Sequence, residues 1–380
     1  MKNTFGNSIA LTLFGESHGA MIGAVLDGLA PGMEVSEERI REELTKRRPS
    51  GAIATARVEE DPFQIVSGVF EGKTTGTPLT ILIPNQNTRS RDYNQTKDLA
   101  RPGHADYTAH LKYHGYEDYR GGGHFSGRLT AALVAAGAVL LPALEKKGIR
   151  IGSHIQALGA TGYSENGGKD FIEDQAFSTD AETLCQEIEI IRTHTFPTIS
   201  LEAAEKMVKR ILTAKDAKDS VGGILETAVV GLPGGVGEPW FDTVEGLLSH
   251  ALFSVPGVKG VEFGNAFQMV AVPGSVYNDA FRKDPDTGAV ITKTNHNAGI
   301  NGGITNGMPI VFRAAVKPTP SIFQPQETIN MASGENAVME LSGRHDPAII
   351  HRAKVVTDSV TAITIADLLA IRYGTDWIAE

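Results

Sequence analysis

The chain has 380 residues, with 41% hydrophobic and 21% charged residues, the composition of a globular protein with a sizeable core. Its formal net charge of −10 argues against nucleic acid as an obligatory partner, because phosphate backbones select for excess Lys and Arg. One cysteine, Cys185, excludes an intramolecular disulfide and any multi-cysteine metal site, and points to a cytoplasmic protein.

The N-terminus carries only a short apolar run, broken by Thr12 and Gly15, and does not read as a signal peptide. Residues 7–29 alternate apolar segments with Gly and read as two strands around a turn, "FGESHG" (14–19). In "SEERIREELTKRRPSG", Ser36 followed by Glu37 and Glu38 predicts a helix start with acids in its first turn. Ile40 and Leu44 share one face of that helix, and Pro49 ends it. Residues 63–83 are rich in β-branched side chains and read as strand, turn and strand.

Residues 84–127 are polar and poorly periodic. Such a stretch inside a compact domain is either functional or disordered. Tyrosines at 93, 107, 113, 116 and 119 argue for order, so an ordered functional loop with short helical pieces is expected. It leads into the uncharged run Leu129–Leu144, which is short for a membrane span, contains Pro142 and reads as a buried core helix. Helices are expected near 200–214, 242–253 and 353–371. Strands are expected near 221–231 and 260–272, with another entering "AAVKPTPSIF" (314–323). No linker composition divides the chain, and the two halves read as parts of one unit.

Arg and His gather in the Gly-rich loops: Arg47 and Arg48, Arg89 and Arg91, Arg101 and His104, Arg120, His124 and Arg128, then Arg344, His345 and Asp346. In an acidic chain this pattern suggests a ligand with several carboxylate or phosphate groups, which guanidinium forks grip bidentately. "GGGHFSG" (121–127) is either a phosphate cradle at a helix start or a tight turn ahead of a core helix. No apolar strand precedes it, as a dinucleotide fingerprint requires, and no Walker motif occurs.

His18 and His104 each sit beside Gly in a loop, the setting of a general acid or of a structurally hydrogen-bonded turn histidine. Ser17 and His18 are adjacent, but a nucleophile and its base meet in space, not in sequence. No G-x-S-x-G elbow occurs, so a hydrolase is not expected. His110 and His114 have i,i+4 spacing, too weak alone to suggest a metal site.

Nine segments occur in order along nearly the whole chain: "FGESHG" (14–19), "SGVFEGKTTGTPL" (67–79), "RSRDY" (89–93), "RPGHADYT" (101–108), "DYRGGG" (118–123), "KGVEFG" (259–264), "GGITNGMPI" (302–310), "KPTPSI" (317–322) and "GRHDP" (343–347). As a set they resemble the chorismate synthase family. The resemblance implies an α+β fold, a single-domain β-α-β sandwich over 1–380 with helices layered between antiparallel sheets. Long functional loops are expected at about 45–60, 84–127, 293–307 and 318–352. It also implies a homotetramer, without nucleic acid or membrane as partner. The implied reaction is a 1,4-anti elimination converting 5-enolpyruvylshikimate 3-phosphate to chorismate and phosphate with reduced FMN, the last common step toward aromatic amino acids.

By the same resemblance His18 donates a proton to the departing phosphate, His104 protonates the reduced flavin, and Asp346 takes part in relaying the substrate proton. Ser17 and Ser126 support the two histidines. Arg47, Arg48, Arg57, Arg128 and Arg344 hold anionic groups. Flavin contacts fall on His124, Phe125, Ser126, Gly302, Lys317, Pro318, Thr319, Pro320, Ser321 and Arg344, and no metal is implied. His124 stands where the family often has Arg, and Phe125 where it has Ser, which leaves the backbone of this segment able to meet the flavin. Ile53, Ala348 and His351 also depart from the usual pattern. The source of electrons for the flavin stays open between NADPH used by this chain and an external reductase.

Overall fold

The computed structural model describes residues 2–49, 51–54, 60–86, 97–159, 171–341 and 345–380. The first part of the chain forms β1 (Thr4–Phe5), β2 (Ala10–Gly15), β3 (Met21–Asp27), α1 (Glu37–Arg47), β4 (Gln64–Ser67), the small pair β5 (Val69–Phe70) and β6 (Lys73–Thr74), β7 (Leu79–Pro84), α2 (Asp106–Tyr113) and α3 (Thr130–Lys146). The middle forms β8 (Arg150–Gly159), β9 (Phe171–Glu173), α4 (Ala181–Thr193), α5 (Leu201–Asp216), β10 (Gly223–Val230), α6 (Val244–Leu252) and β11 (Val258–Phe263). Two short helices follow, α7 (Ala266–Met269) and α8 (Gly274–Tyr277), then the hairpins β12 (Phe281–Lys283) with β13 (Val290–Thr292) and β14 (Ile300–Asn301) with β15 (Ile304–Thr305). The chain ends with β16 (Ile310–Val316), β17 (Gln326–Ile329), β18 (Asn336–Met339), α9 (Ile350–Tyr373) and α10 (Asp376–Ala379).

Two five-stranded sheets carry the architecture, in the orders β1-β2-β3-β7-β4 and β11-β16-β10-β8-β9. Every pairing within them is antiparallel. The mixture of helices and antiparallel sheets is α+β, as expected. Helix α3 packs on β3 and β7 of the first sheet, α9 packs on β8 and β10 of the second, and the two helices pack on each other. Both are buried along nearly their whole length, which explains why neither shows a polar face. Stretch Gly127–Lys146 is apolar and long enough to cross a membrane, yet most of it is buried in this core. At their crossing, a Cβ on Gly137 would fall 2.4 Å from Ser359 Cβ, so glycine lets the two backbones approach.

Local signals act as read. Ser36 Oγ accepts from the Arg39 N–H at 3.1 Å, Ile40 and Leu44 are buried, and α1 ends at extended Arg48 ahead of Pro49. The expected helices near 200–214, 242–253 and 353–371 appear as α5, α6 and α9. The strand expected over 260–272 stops at Phe263. Gly264 takes a positive φ of 58°, and Glu262 Oε1 accepts the Phe267 N–H at 2.7 Å, which starts a helix instead. Asp367 of α9 accepts the N–H groups of Asn7, Ser8 and Ile9 at 2.7–2.9 Å and ties the N-terminal turn to the C-terminal helix.

Candidate active site

A cavity of about 1200 Å³ opens beside the N-terminal ends of α3 and α9. It gathers His18, Arg47, His104, His124, Phe125, Ser126, Arg128, Lys317, Thr319, Pro320, Ser321 and Asp346, separated by up to 328 positions in sequence. Among the described lining residues seven are cations: Lys2, Arg47, Arg101, Arg128, Lys259, Lys317 and Arg352. Asp346 is the one carboxylate. This concentration of positive charge stands out in a chain of net charge −10.

The three glycines of "GGG" shape the histidine wall. Gly121, Gly122 and Gly123 all have positive φ (61°, 86° and 52°), which L side chains rarely adopt. A Cβ on Gly121 would lie 2.3 Å from His18 Cε1, and one on Gly122 would lie 2.9 Å from His104 Cε1. The backbone here seats two imidazoles. The Gly123 carbonyl also accepts the Ser17 N–H at 3.1 Å, fixing the GESHG turn to this wall.

Ser17 is buried and orients His18. Its hydroxyl donates to the Arg120 carbonyl at 3.1 Å, so its oxygen is left to accept from His18 Nδ1 at 3.1 Å. That arrangement puts a proton on Nδ1 and leaves proton exchange with a ligand to Nε2. His104 Nδ1 donates to Asp106 Oδ1 at 2.9 Å. Arg101 binds the same carboxylate through Nε and Nη2, both at 2.6 Å. Burial works to raise the Asp106 pKa, but these hydrogen bonds outweigh it and hold the carboxyl well below its ordinary range. His124 Nδ1 donates to the Gly15 carbonyl at 2.8 Å. Ser126 Oγ accepts from the Arg128 N–H at 3.3 Å and, among the described residues, bonds to neither histidine.

The arginines are held by buried carboxylates. Asp61, 3% exposed, accepts from Arg47 Nη2 at 3.0 Å and also from Arg128 Nη1. Burial raises the Asp61 pKa, and the two guanidiniums more than offset that. Arg128 Nε donates to Asn85 Oδ1 at 3.0 Å, while Asn85 Nδ2 donates to the carbonyls of Glu16 and Gly19, each at 2.9 Å. One asparagine thus couples the arginine to the His18 turn. Arg352 pairs with Asp346 Oδ2 and donates from Nε to the Arg47 carbonyl at 2.7 Å. Lys317 Nζ donates to the Gly103 carbonyl next to His104.

The remaining expected residues distribute differently. Arg48 donates to the Glu60 carbonyl, and neither it nor Pro318 lines the cavity. Gly302 lies exposed in the β14–β15 turn, away from the lining. Arg57 and Arg344 lie outside the described residues. Sequence reading missed Asp61, Asn85, Asp106 and Arg352. Asp106 carried a signal, five residues after Arg101 in "RPGHAD"; Asp61 and Asn85 carried none.

Two antiparallel sheets packed on helices, and a large cationic cavity with two glycine-seated histidines, mark an enzyme that handles small polyanions. The sequence matches the family model described as chorismate synthase over residues 9–370. The chain belongs to the chorismate synthase family and is a chorismate-forming lyase. It is 44% identical to the chorismate synthase of Pyrococcus abyssi, over 97% of each chain. Identity to the chorismate synthase of Methanocaldococcus jannaschii is also 44%, over 97% of this chain and 96% of that one. A crystal structure of chorismate synthase superposes with a TM-score of 0.73 at 29% identity, covering 97% of this chain and 94% of the other.

Proposed function

We propose that the cavity binds 5-enolpyruvylshikimate 3-phosphate together with reduced FMN and that the chain forms chorismate by 1,4-anti elimination of phosphate. The observation that carries this reading is the cavity itself. Its volume of about 1200 Å³ exceeds the roughly 300–1000 Å³ of a typical single-ligand pocket. Its cations match a substrate with one phosphate and two carboxylates beside a cofactor with another phosphate.

When bound, reduced flavin supplies transient electron density to the substrate and a base for its departing C–H proton. The protein's residues do the rest. Arg47 and Arg128, fixed by Asp61, hold anionic groups of the substrate. His18 donates a proton from Nε2 to the leaving phosphate, while Ser17 keeps Nδ1 engaged. His104, oriented by Asp106, holds a proton at Nε2 toward the cofactor. Asp346, the carboxylate among the described lining residues, takes part in relaying the substrate proton onward from the flavin. His124, Phe125, Ser126 and the Lys317–Ser321 segment would hold the flavin; Arg344, outside the described residues, is assigned to it by the family resemblance alone.

The proposed unit spans 1–380 as one β-α-β sandwich, cytoplasmic and homotetrameric. Gly302 lies away from the lining of this cavity, and the homotetramer proposed here would let it meet the flavin of a neighbouring copy. Exposed Trp240, Phe241 and Phe267, at 77%, 95% and 77%, are the kind of surface that association covers. Electrons reach the flavin from NADPH or an external reductase, which anaerobic turnover with and without NADPH separates.

The deciding experiment is His18→Ala assayed for chorismate with chemically reduced FMN. The expected loss in kcat is about 10²–10⁴-fold, the range for removing a general acid. Turnover near wild type would overturn the role of His18.

A further inference from the structure

A smaller cavity of about 350 Å³ adjoins the first, and His104 and His124 line both cavities. Glu117 lines the smaller one. Its Oε1 accepts from His110 Nδ1 at 3.2 Å, and its Oε2 is buried with no hydrogen-bond partner among the described residues. The His110 side chain is 45% exposed and that of Glu117 is 15% exposed. The pair therefore runs from solvent to the cavity wall. A buried carboxylate oxygen without a donor is costly, and a polar cavity of this size has room for the water that would serve it.

We propose that Glu117 passes protons from solvent to His104, with His110 as the outer relay. The inference rests on the reading of His104 as a proton donor. His104 Nδ1 is committed to Asp106, and Asp106 is held ionised by Arg101, so that carboxylate orients the ring and does not carry the proton. The proton must then arrive at Nε2. That atom lies beside Gly122, whose backbone lines the smaller cavity, and a Cβ there would fall 3.2 Å from it. For each proton His104 gives up at Nε2, one is taken up from solvent at His110 Nε2, the His110 Nδ1 proton passes to the Glu117 carboxylate, and the Glu117 carboxyl hands it through water to His104 Nε2. No electrons move. The route recharges His104 between turnovers, once Nε2 is released from the cofactor.

The test uses the full chain with Glu117→Gln, which keeps a partner for His110 but carries no proton, and with His110→Gln at a half-exposed position that tolerates exchange. Nitrogen-15 NMR of histidine-labelled protein reads exchange of the His104 ring proton with water, independently of turnover. Glu117→Gln is expected to slow that exchange at least tenfold. It should lower kcat about tenfold at unchanged KM, with recovery in concentrated imidazole buffer. His110→Gln should act in the same direction, more weakly. Wild-type exchange and wild-type kcat in Glu117→Gln would overturn the route. Wild-type turnover in His104→Gln would instead overturn the reading of His104, with exchange in Glu117→Gln still deciding the route.

Discussion

Gly121 and His18 stand so close that a methyl group on the glycine would overlap the imidazole, at 2.3 Å from Cε1 and 2.5 Å from Nδ1. The glycine's φ of 61° adds backbone strain for any L side chain. Gly121→Ala should therefore push the His18 ring off Ser17 while leaving the sheets intact. The expected result is a loss of at least tenfold in kcat, a smaller change in KM, and an unchanged far-UV circular dichroism spectrum. Unchanged kcat would show that the ring relaxes without consequence.

Asp61 joins two arginines of the cavity from below. Removing its charge leaves Arg47 and Arg128 buried without their shared counterion, a change that costs about 3–5 kcal/mol in comparable buried pairs. Asp61→Asn should lower stability by an amount of that order and raise KM for the substrate more than it lowers kcat. The sign with pH follows from the lowered folded pKa. The stabilisation is present above the ordinary carboxyl value of 3.8 and is lost as pH falls through the folded value. Urea titrations of both proteins at pH 7 and at about pH 2.5 check this, and the difference between them should shrink at the lower pH, below the ordinary carboxyl value.

Much of this site was legible in the sequence because its signals are local. The Gly-flanked histidines, the RPGHAD and GRHDP segments and the Ser36 helix start depend on residues a few positions apart. What holds them together was not legible. Asp61 meets Arg128 across 67 positions, and nothing near Asp61 announces an ion pair. The "GGG" run suggested an anion cradle, yet its tight contacts are with His18 and His104, which only tertiary structure brings there. Strand β8 went unread for a related reason. It is buried on both faces, and its polar residues look like loop until Ser153 meets Asp358 and His154 meets Glu226.

His124 brings an imidazole to a wall shared by the two cavities. With Nδ1 donating to Gly15, Nε2 is the ring nitrogen left to meet a ligand. His124→Leu should weaken binding of reduced FMN about 3–10-fold, the scale of one lost hydrogen bond. Titrating chemically reduced FMN into both proteins measures the difference, and equal affinities would remove His124 from the flavin site.

Two other histidines should give the fold opposite responses to pH. His154 is fully buried, with Asp174 on Nδ1 and Glu226 on Nε2, both at 3.0 Å, and Arg313 beyond Glu226. Burial opposes its charge, but the two carboxylates win and raise its pKa. Its contribution is complete below the unfolded value of 6.5 and is lost as pH rises through the folded one. His351 is the reverse. Both ring nitrogens are buried without a hydrogen bond among the described residues, and burial lowers its pKa to about 4, with Asp346 opposing and Arg352 assisting. The unfolded chain takes up that proton near 6.5 while the folded protein resists it, so stability falls as pH drops from 6.5 toward 4, by about 3 kcal/mol. His351→Leu should remove this acid-side loss and, by deleting two unpaired polar atoms, stabilise the protein by about 1–3 kcal/mol at neutral pH. His154→Gln should destabilise most at pH 5–6, with the deficit narrowing as pH rises. Melting temperatures of the three proteins across pH 4.5–9 measure both slopes, and a His351→Leu protein with the wild-type acid slope would show that this imidazole is not the group being titrated.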